Sequence, residues 1–217
     1  MIKHCWDEAD ARSFLQASKA FGRQAAAFYA LALDSGARKG EICGLRWSSV
    51  DLDAGTIRIV DQLLKPGREA VFGPPKNSKV RTIPLSAQTI VLLRKHRAHQ
   101  AEIKLKNRKN YHDRGLVFAK EWGELSHKWE TLGNPLQMNN LGQRQFNKII
   151  EAAGIRRIKF HGMRHTCATL LLKARVPVHV VSERLGHKGS EITMNIYAHV
   201  LPSMQEEAAE RMGSILF

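Results

Sequence analysis

The stretch that decides the fold lies between residues 24 and 53 and reads QAAAFYALALDSGARKGEICGLRWSSVDLD. Its first part, residues 24–36, consists mostly of strong helix formers and ends at Gly36, a residue that suits the end of a helix. The residues that follow predict a short helix with Ile42 and Leu45 facing inward. Beyond residue 53 the apolar residues no longer follow a helical period, so a region of strands is expected next.

Three short stretches after this point alternate between apolar and polar residues, as half-buried strands do. They are TIRIV (56–60), REAVF (68–72) and KVRTIPL (79–85). Residues 65–67 and 74–78 contain the prolines and glycines of the turns between them. These features predict one small antiparallel sheet.

Helical patterns fill most of the remaining chain. Asp7 can cap a first helix through Ser18, and Ser86 opens a long helix through about Leu105. Further helices are predicted at about 139–153, 162–174, 177–185, 190–198 and 202–212. No repeat and no linker is evident. The predicted fold class is therefore mainly α with a small antiparallel β-sheet (α+β), in one domain over residues 1–217.

Charge is the most informative property of the composition. The chain has 34 Lys and Arg residues against 20 Asp and Glu residues, a net charge of +14. A domain this basic either has a polyanion as its partner or is destabilised by the repulsion of its own charges, and nucleic acid is the usual polyanion. The three cysteines are widely spaced, which predicts reduced thiols, and the apolar runs are too short to span a membrane. We expect a cytoplasmic protein.

The segment HGMRHT (161–166) is the first candidate for chemistry. His161 and Arg164 are three residues apart, so they share one face at the start of a predicted helix. The free N–H groups and the dipole of a helix N-terminus favour anions, and the guanidinium of arginine matches phosphate oxygens. The structural alternative is that Arg164 pairs with a carboxylate while His161 only caps the helix.

Three further segments carry candidate residues that have ordinary alternatives. In SERLGHKGSEITMNIYAHV (182–200), His187 follows the helix-ending glycine and Tyr197 lies ten residues later. A post-cap histidine and a half-buried tyrosine would account for both. Near the start, Arg38 precedes a short helix that carries Glu41, and Lys76 lies in a loop between strands. Each basic residue, taken alone, could be merely solvated.

Taken together, these residues resemble the catalytic set of the tyrosine recombinases, the phage integrase family. The matching stretches span about residues 7–205 and are GARKGEICGLRWSSVDLDAGTI, PPKNSKVRTIPL, LVF, KFHGMRHTCATLLL and VVSERLGHKGSEITMNIYAHV. The resemblance implies the fold of the tyrosine recombinase (DNA breaking-rejoining enzyme) catalytic domain. It also implies six catalytic residues, which are Arg38, Lys76, His161, Arg164, His187 and Tyr197.

The chain departs from the family pattern in three respects. Gly162 stands where family members commonly have an acidic residue, and the lysine loop is one residue short, which makes Lys79 a rival to Lys76. We expect the N-terminal domain with which the family clamps DNA to be absent. The interpretation is therefore a single catalytic domain at residues 1–217, without the core-binding domain.

The resemblance implies DNA cleavage and rejoining without metal, cofactor or ATP. Tyr197 would attack a backbone phosphate and form a 3′-phosphotyrosyl intermediate, with Arg38 and Arg164 holding the developing charge. His161 would act as the base, Lys76 would protonate the leaving 5′-oxygen, and His187 would hydrogen-bond the phosphate. The remaining expectations are that Glu41 supports Arg38 or its neighbours rather than reacting itself, and that His165 points to another helix face and is structural.

The family also implies assembly and location. Its members act as tetramers on two double-stranded DNA sites, with the C-terminal segment, here 202–217, docking on a neighbour. An equal alternative is that this segment packs onto its own domain. A further alternative is that the chain is a monomer when it is free of DNA. The basic run 94–114 fits either a DNA-binding surface or a solvated face. We expect a bacterial or phage-encoded protein of a mobile genetic element, associated with the nucleoid.

Three other functions remain open from the sequence. A type IB topoisomerase would use the same nucleophile to relax supercoils. A non-catalytic remnant of an integrase would keep the DNA-binding surface and lose turnover. A metal-dependent nuclease is suggested by the ten histidines, but the chain has no H-E-x-x-H motif and no carboxylate cluster with ligand spacing.

Overall fold

The computed structural model describes residues 5–66, 69–75, 80–121, 132–138, 144–187, 189, 191 and 204–217, with side chains from residue 209 onward in the last segment. The described helices and strands, in chain order, are α1 (Glu8–Ser18), α2 (Arg23–Ser35), α3 (Lys39–Gly44), β1 (Val50–Asp51), β2 (Thr56–Ile59), β3 (Gln62–Lys65), β4 (Val71–Gly73), β5 (Arg81–Pro84), α4 (Ala87–Lys106), α5 (Phe146–Ala153), α6 (His161–Lys173), α7 (Val178–Leu185) and α8 (Met204–Leu216). The fold is mainly helical with small antiparallel sheets, as the sequence predicts.

Helices α1 to α3 form as their sequences predict. The Asp7 carboxylate accepts a hydrogen bond from Asp10 N at 2.8 Å and caps α1. Helix α2 is apolar on all sides and almost entirely buried, and it ends where Gly36 adopts a left-handed conformation with φ of 61°. Beyond the short loop between α2 and α3, Ile42 and Leu45 are buried, which confirms the inward orientation predicted for these two residues.

The strands form two small sheets rather than the single sheet that the alternation predicts. Strand β2 pairs with β1 and β5 in a three-stranded antiparallel sheet, while β3 and β4 form a separate two-stranded ribbon. Strands β1 and β3 are not among the predicted strands, and the stretch predicted at 68–72 is β4, displaced to Val71–Gly73. Short strands are poorly marked by periodicity because pairing with distant residues decides where they begin.

The core is built on aromatic side chains from both halves of the chain. Trp6, Phe14, Phe28, Tyr29, Phe118, Phe146 and Phe160 form a continuous set of tilted and edge-to-face ring contacts. Full burial of one such side chain contributes about 1.5–3 kcal/mol. These rings come from α1, α2, α5, the segments before α1 and α6, and the segment between α4 and α5, so the core packs α6 against α2.

The C-terminal half agrees with the helical predictions where the structure describes it. The predicted helices 162–174 and 177–185 are α6 and α7, and the helix predicted at 202–212 continues to Leu216 as α8. The helix predicted at 139–153 is represented by α5, which begins at Phe146. The helix predicted at 190–198 lies almost wholly outside the described residues. Cys5, Cys43 and Cys167 are buried free thiols, as expected.

None of the described helices combines the length and the apolar character that a membrane-crossing helix needs.

Candidate active site

Arg38 is held at the N-terminus of α3 by Glu41. The backbone N–H of Arg38 donates to Glu41 Oε2 at 2.8 Å, and its Nη1 donates to Glu41 Oε1 at 3.0 Å. Glu41 has no exposed side-chain surface, whereas the Arg38 side chain is 21% exposed. One buried carboxylate thus caps the helix and orients a guanidinium that still reaches solvent. The expected contact between Glu41 and Arg38 is present.

A second arginine, Arg81 on β5, binds the same carboxylate. Its Nη1 and Nη2 donate to Glu41 Oε1 and Oε2 at 3.1 and 2.7 Å, and its Nε donates to the carbonyl of Arg184 on α7 at 3.0 Å. Arg81 is not among the site residues predicted from the sequence. A signal was nevertheless present, because Arg81 is two residues from buried Ile83 along β5 and therefore lies on the same, inward face of the strand.

Arg164 enters the site from α6, where it is 4% exposed. Its Nη1 donates to the carbonyl of Gly36 at 2.8 Å, just beyond the end of α2. The carboxyl end of a helix carries partial negative charge, so it attracts a guanidinium. Gly36 is needed there, because a Cβ at this position would lie 2.5 Å from Leu185 Cδ2 and 3.1 Å from Cys167 Sγ. Close packing of α2, α6 and α7 therefore positions Arg164.

His161 and His165 form a ring pair at the start of α6. Their ring centroids are 4.9 Å apart and their planes are perpendicular, at 88°. The expectation that His165 points away from His161 is therefore wrong, since residues four apart on a helix are neighbours. The residue before α6 is Phe160, and no side chain caps the helix, so His161 does not act as a cap.

Both histidines of the predicted site have a low pKa, first because they are partly buried and second because they lie near positive charges. Partial desolvation, followed by the neighbouring His165, Arg164 and Arg38, lowers the pKa of His161 to about 4. Partial burial, followed by Arg164, Arg38, His165 and Arg81, lowers the pKa of His187 to about 4. Because Arg38 and Arg164 act on both imidazoles, these four residues lie in one region. The imidazoles are neutral at neutral pH in the free protein.

His187 occupies the turn that ends α7. Gly186 adopts a left-handed conformation with φ of 67°, and its N–H donates to the carbonyl of Glu183 at 2.9 Å. The N–H of His187 donates to the carbonyl of Ser182 at 3.1 Å, which completes the cap. The backbone of His187 therefore has the post-cap role that the sequence suggested as an alternative, while its half-buried side chain lies near the two arginines.

A cavity of about 180 Å³ opens between the end of α2 and the start of α6. Arg38, His161 and Arg164 line it together with Lys39, whose Nζ lies 5.8 Å from the centre of the Phe160 ring. Lys39 was not singled out from the sequence. In the described part of the chain, no group of three His, Cys, Asp or Glu side chains is arranged to hold a metal ion. The groups that face the cavity are suited to an anion.

Three of the predicted residues cannot be placed. Lys76, its rival Lys79 and the predicted nucleophile Tyr197 lie outside the described residues. The structure thus brings together Arg38, His161, Arg164 and His187, with Glu41 behind Arg38.

The basic run 94–114 is partly engaged within the chain. Arg94 Nη2 donates to Asp53 Oδ1 at 2.6 Å, Lys104 Nζ donates to Asp113 Oδ2 at 2.9 Å, and Arg97 stacks over the Trp47 ring at 5.4 Å. These contacts hold α4 to its neighbours, and they leave fewer cations of this run for an external partner.

Comparisons of the sequence identify relatives across most of its length. A model described as the phage integrase family matches residues 5–204. The chain is 34% identical over 207 residues to a tyrosine recombinase XerC-like protein of Caldanaerobacter subterraneus, covering 89% of this chain and 50% of that protein. It is 26% identical over 194 residues to the integrase of Staphylococcus phage L54a, covering 84% and 50%. The chain spans about half the length of these curated relatives.

Solved structures share the fold. A variant of the Tn1549 transposon integrase in complex with transposon right end DNA aligns with a TM-score of 0.73 at 24% identity, over 98% of this chain and 67% of that one. XerA recombinase aligns with a TM-score of 0.71 at 19% identity, over 98% and 66%. The catalytic domain of bacteriophage HP1 integrase aligns with a TM-score of 0.61 at 22% identity, over 95% and 94%. The predicted fold class is confirmed.

Proposed function

Because the chain belongs to the phage integrase family, we propose that it is the catalytic domain of a tyrosine recombinase, which cleaves and rejoins double-stranded DNA at specific sites. One observation carries the proposal. Two arginines and two neutral imidazoles, contributed by α3, α6 and the end of α7, surround one region beside a small cavity. A phosphodiester carries the single negative charge that such a region would bind.

The arginines supply charge stabilisation. In the transition state of phosphoryl transfer, negative charge grows on the non-bridging oxygens, and fixed donors aimed at those oxygens lower the barrier. Arg38 and Arg164 are always protonated, and each is held by its own protein partner, Glu41 or the Gly36 carbonyl. They would therefore meet the phosphate without reorganising.

Tyr197 would be the nucleophile. Its hydroxyl oxygen attacks the phosphorus, the bond to the 5′-oxygen breaks, and a 3′-phosphotyrosyl bond forms. The phenolic proton passes to His161, which is neutral and can accept it. A bound phosphate diester would offset the charge of Arg38 and Arg164, so we expect DNA binding to raise the pKa of His161 from its value of about 4 in the free protein.

The leaving 5′-oxygen would take its proton from Lys76. This lysine is five residues before Arg81, and five residues of extended chain reach at most about 17 Å. Since Arg81 is bonded to the carboxylate that holds Arg38, the lysine loop is attached close to the site. His187 would donate a hydrogen bond to a phosphate oxygen.

Rejoining follows from the same chemistry in reverse. One phosphodiester is exchanged for another of similar energy, so a 5′-hydroxyl from a different strand can attack the phosphotyrosyl bond and release Tyr197. This exchange needs no ATP and no metal ion to balance its energy. The positive charge of the domain would hold the surrounding DNA backbone with little regard to sequence. Such a protein would work in the cytoplasm, at the nucleoid.

Assembly on DNA would use the C-terminal segment. The side chains of Met212, Ile215, Leu216 and Phe217 are all more than half exposed at the end of α8. Apolar groups presented at a terminus are suited to burial against another molecule. We propose that this segment docks on a neighbouring copy in a tetramer on two DNA sites, and that the free chain is a monomer. Leu216→Glu should then reduce assembly on DNA while leaving cleavage by single copies intact.

The test uses a pool of nicked duplexes with a randomised core, so that the target site need not be known. Cleavage beside a nick releases a short strand that diffuses away and traps the enzyme on the DNA. We expect an adduct that survives SDS, with one enriched core sequence among the recovered DNA. Tyr197→Phe should abolish the adduct and retain DNA binding.

Other outcomes would point elsewhere. DNA binding without any adduct would favour the non-catalytic remnant, and an adduct that survives Tyr197→Phe would mean that the nucleophile is another residue. Relaxation of supercoiled plasmid without site preference would favour the topoisomerase. Loss of cleavage in EDTA would contradict the metal-free mechanism.

A further inference from the structure

Arg81 is a buried cation at the junction of three elements. Its side chain is 7% exposed and donates to both oxygens of Glu41 on α3 and to the carbonyl of Arg184 in the last turn of α7. Its backbone belongs to β5, the strand that follows the lysine loop. The elements joined by this one guanidinium carry Arg38, His187 and the loop of Lys76.

The shape of the guanidinium makes this junction possible. Its planar fork can bind a carboxylate through two nitrogens while Nε donates in a third direction within the same plane. The ammonium of a lysine at the same position would keep the positive charge but could not hold this fixed geometry. Burial of an ion pair is weak evidence for stability, because desolvation offsets much of the attraction. A positional role therefore explains Arg81 better than a stabilising one.

The surroundings of Arg81 are fitted to it. Glu41 Oε1 accepts from Arg81 Nη1 at 3.1 Å and from Arg38 Nη1 at 3.0 Å, so the two guanidiniums share one oxygen. A Cβ at Gly186 would lie 2.8 Å from Arg81 Nη1 and 3.0 Å from its Cζ. Arg81 thus contacts the carboxylate that orients Arg38 and the residue that precedes His187.

We propose that Arg81 is a positioning residue, which sets the end of α7 relative to α3 so that Arg38 and His187 face the same phosphate. This inference rests on the proposed function. Arg81 does not touch the reacting atoms in this scheme and acts through its two neighbours. Helix α7 keeps a second attachment, because Arg184 Nη2 donates to Asp34 Oδ1 at 2.9 Å. Loss of the Arg81 geometry should therefore displace the turn at His187 without detaching the helix.

The first experiment does not depend on activity. The imidazole of His187 is titrated by NMR in the free wild-type protein and in Arg81→Lys, which keeps the charge. We expect the pKa of His187 to rise from about 4 by about one unit or more, as the imidazole moves away from Arg38 and Arg164. His96, a buried histidine whose pKa is also about 4, is the internal control and should not change. An unchanged His187 would overturn the proposal.

The second experiment measures single-turnover cleavage at saturating DNA. Arg81→Lys should reduce the rate by about 10- to 100-fold, since a displacement near 1 Å can have an effect of this size. DNA affinity should stay within about threefold, because the contacts with the DNA backbone are spread over the surface. The matched control is Arg58→Lys, an exposed arginine on the adjacent strand β2, which should cleave at the wild-type rate.

A modified substrate distinguishes an effect of Arg81 on Arg38 and His187 from an effect on the lysine loop. With sulfur in place of the 5′-bridging oxygen, the leaving thiolate needs no proton from Lys76. If Arg81 acts through Arg38 and His187, the Arg81→Lys defect should persist on this substrate. Full recovery of the rate would assign Arg81 to the lysine loop and overturn the proposal.

Folding and activity are controlled separately. If Arg81→Lys does not fold, Gly186→Ala presses on the same guanidinium without changing any charge, and it should lower the cleavage rate in the same direction. Its control is Gly154→Ala, a helix-ending glycine with nothing within 4 Å of an added Cβ. If the wild-type chain gives no adduct, the proposed function fails, and the titration of His187 still decides whether Arg81 positions that turn.

Discussion

Two carboxylates in this protein, the buried Glu41 and the partly buried Glu121, are ionised to different extents at neutral pH. Burial raises the pKa of Glu41, but hydrogen bonds and charge from Arg81, followed by those of Arg38, outweigh it and lower the pKa below its usual value. Burial also raises the pKa of Glu121, and there a side-chain hydrogen bond from Gln24 is too weak to compensate, so the pKa reaches about 7. Glu41 stays charged at neutral pH, whereas Glu121 is about half protonated.

The partners explain the difference. Glu41 receives two guanidiniums at hydrogen-bonding distance. Glu121 faces two imidazoles, with 3.6 Å between Oε1 and His96 Nδ1 and 3.7 Å between Oε2 and His99 Nε2, both too long for a hydrogen bond. Burial lowers the pKa of His96 to about 4, so that ring supplies no charge at neutral pH. Burial alone therefore does not decide whether a carboxyl group is ionised. Arginines, which are always charged, surround Glu41, the carboxylate that orients Arg38.

Among the substitutions considered, Glu41→Gln should cause the largest loss of stability. The substitution leaves Arg81 buried without its counter-charge, and removal of one member of a buried pair typically costs about 3–5 kcal/mol. Urea unfolding at pH 7 would measure the loss. Glu151→Gln, at an exposed position on α5, is the control and should change stability by less than about 0.5 kcal/mol. A loss at Glu41 no larger than the control would mean that the two arginines do not depend on this charge.

Glu121→Gln should instead stabilise the folded protein, and the size of this gain should depend on pH. A carboxyl group whose pKa is raised from 4.5 to about 7 on folding favours the folded state at low pH, and this advantage is lost as pH rises through 7. The full shift corresponds to about 3 kcal/mol, and screening through its exposed part reduces this. We expect the variant to exceed the wild type by about 1–2 kcal/mol at pH 8.5 and to match it near pH 4.5.

Urea unfolding of both proteins across this pH range would show the crossover. A constant difference between wild type and Glu121→Gln at every pH would indicate a change in packing, and the ionisation assigned to Glu121 would then be wrong.

Gly186→Ala tests how rigidly the Arg81 guanidinium is held beside Glu41. Gly186 and Gly154 both end helices in the left-handed conformation, with φ of 67° and 63°. Alanine costs about 1 kcal/mol at each for its backbone conformation. At Gly186 the added Cβ also meets the Arg81 guanidinium at 2.8 Å, which should cost about 1 kcal/mol more. Equal losses at the two glycines would show that Arg81 moves aside easily.

The sequence predicts the contact between residues that are close in the chain, and it does not predict the contact between residues that are distant in the chain. Arg38 and Glu41 are three residues apart on a predicted helix, so their contact follows from helical geometry. Glu41 and Arg81 are forty residues apart, and their pairing depends on how β5 packs against α3. Alternation along β5 could have indicated that Arg81 faces inward, but it could not have named Glu41 as the partner.

The region of Glu121 shows the same limit. The predicted long helix α4 is correct, and His96 and Gln100 lie at helical spacing from buried Leu93, on the same face. The sequence does not show which groups these buried polar side chains bind. Their partners are the carbonyls of Leu116 and Val117, in a segment that has little secondary structure of its own. Helical periodicity places these side chains inward, whereas tertiary packing decides their partners and places Glu121 beside them.

The smallest effect is expected for the contact between His99 and Glu121. The two side chains are 30% and 21% exposed, and the separation of 3.7 Å between His99 Nε2 and Glu121 Oε2 excludes a hydrogen bond. A double-mutant cycle with His99→Gln and Glu121→Gln at pH 7 should give a coupling energy below about 1 kcal/mol, in the range of exposed ion pairs. A coupling above about 2 kcal/mol would mean that an ionised pair forms there, and the contrast with Glu41 would disappear.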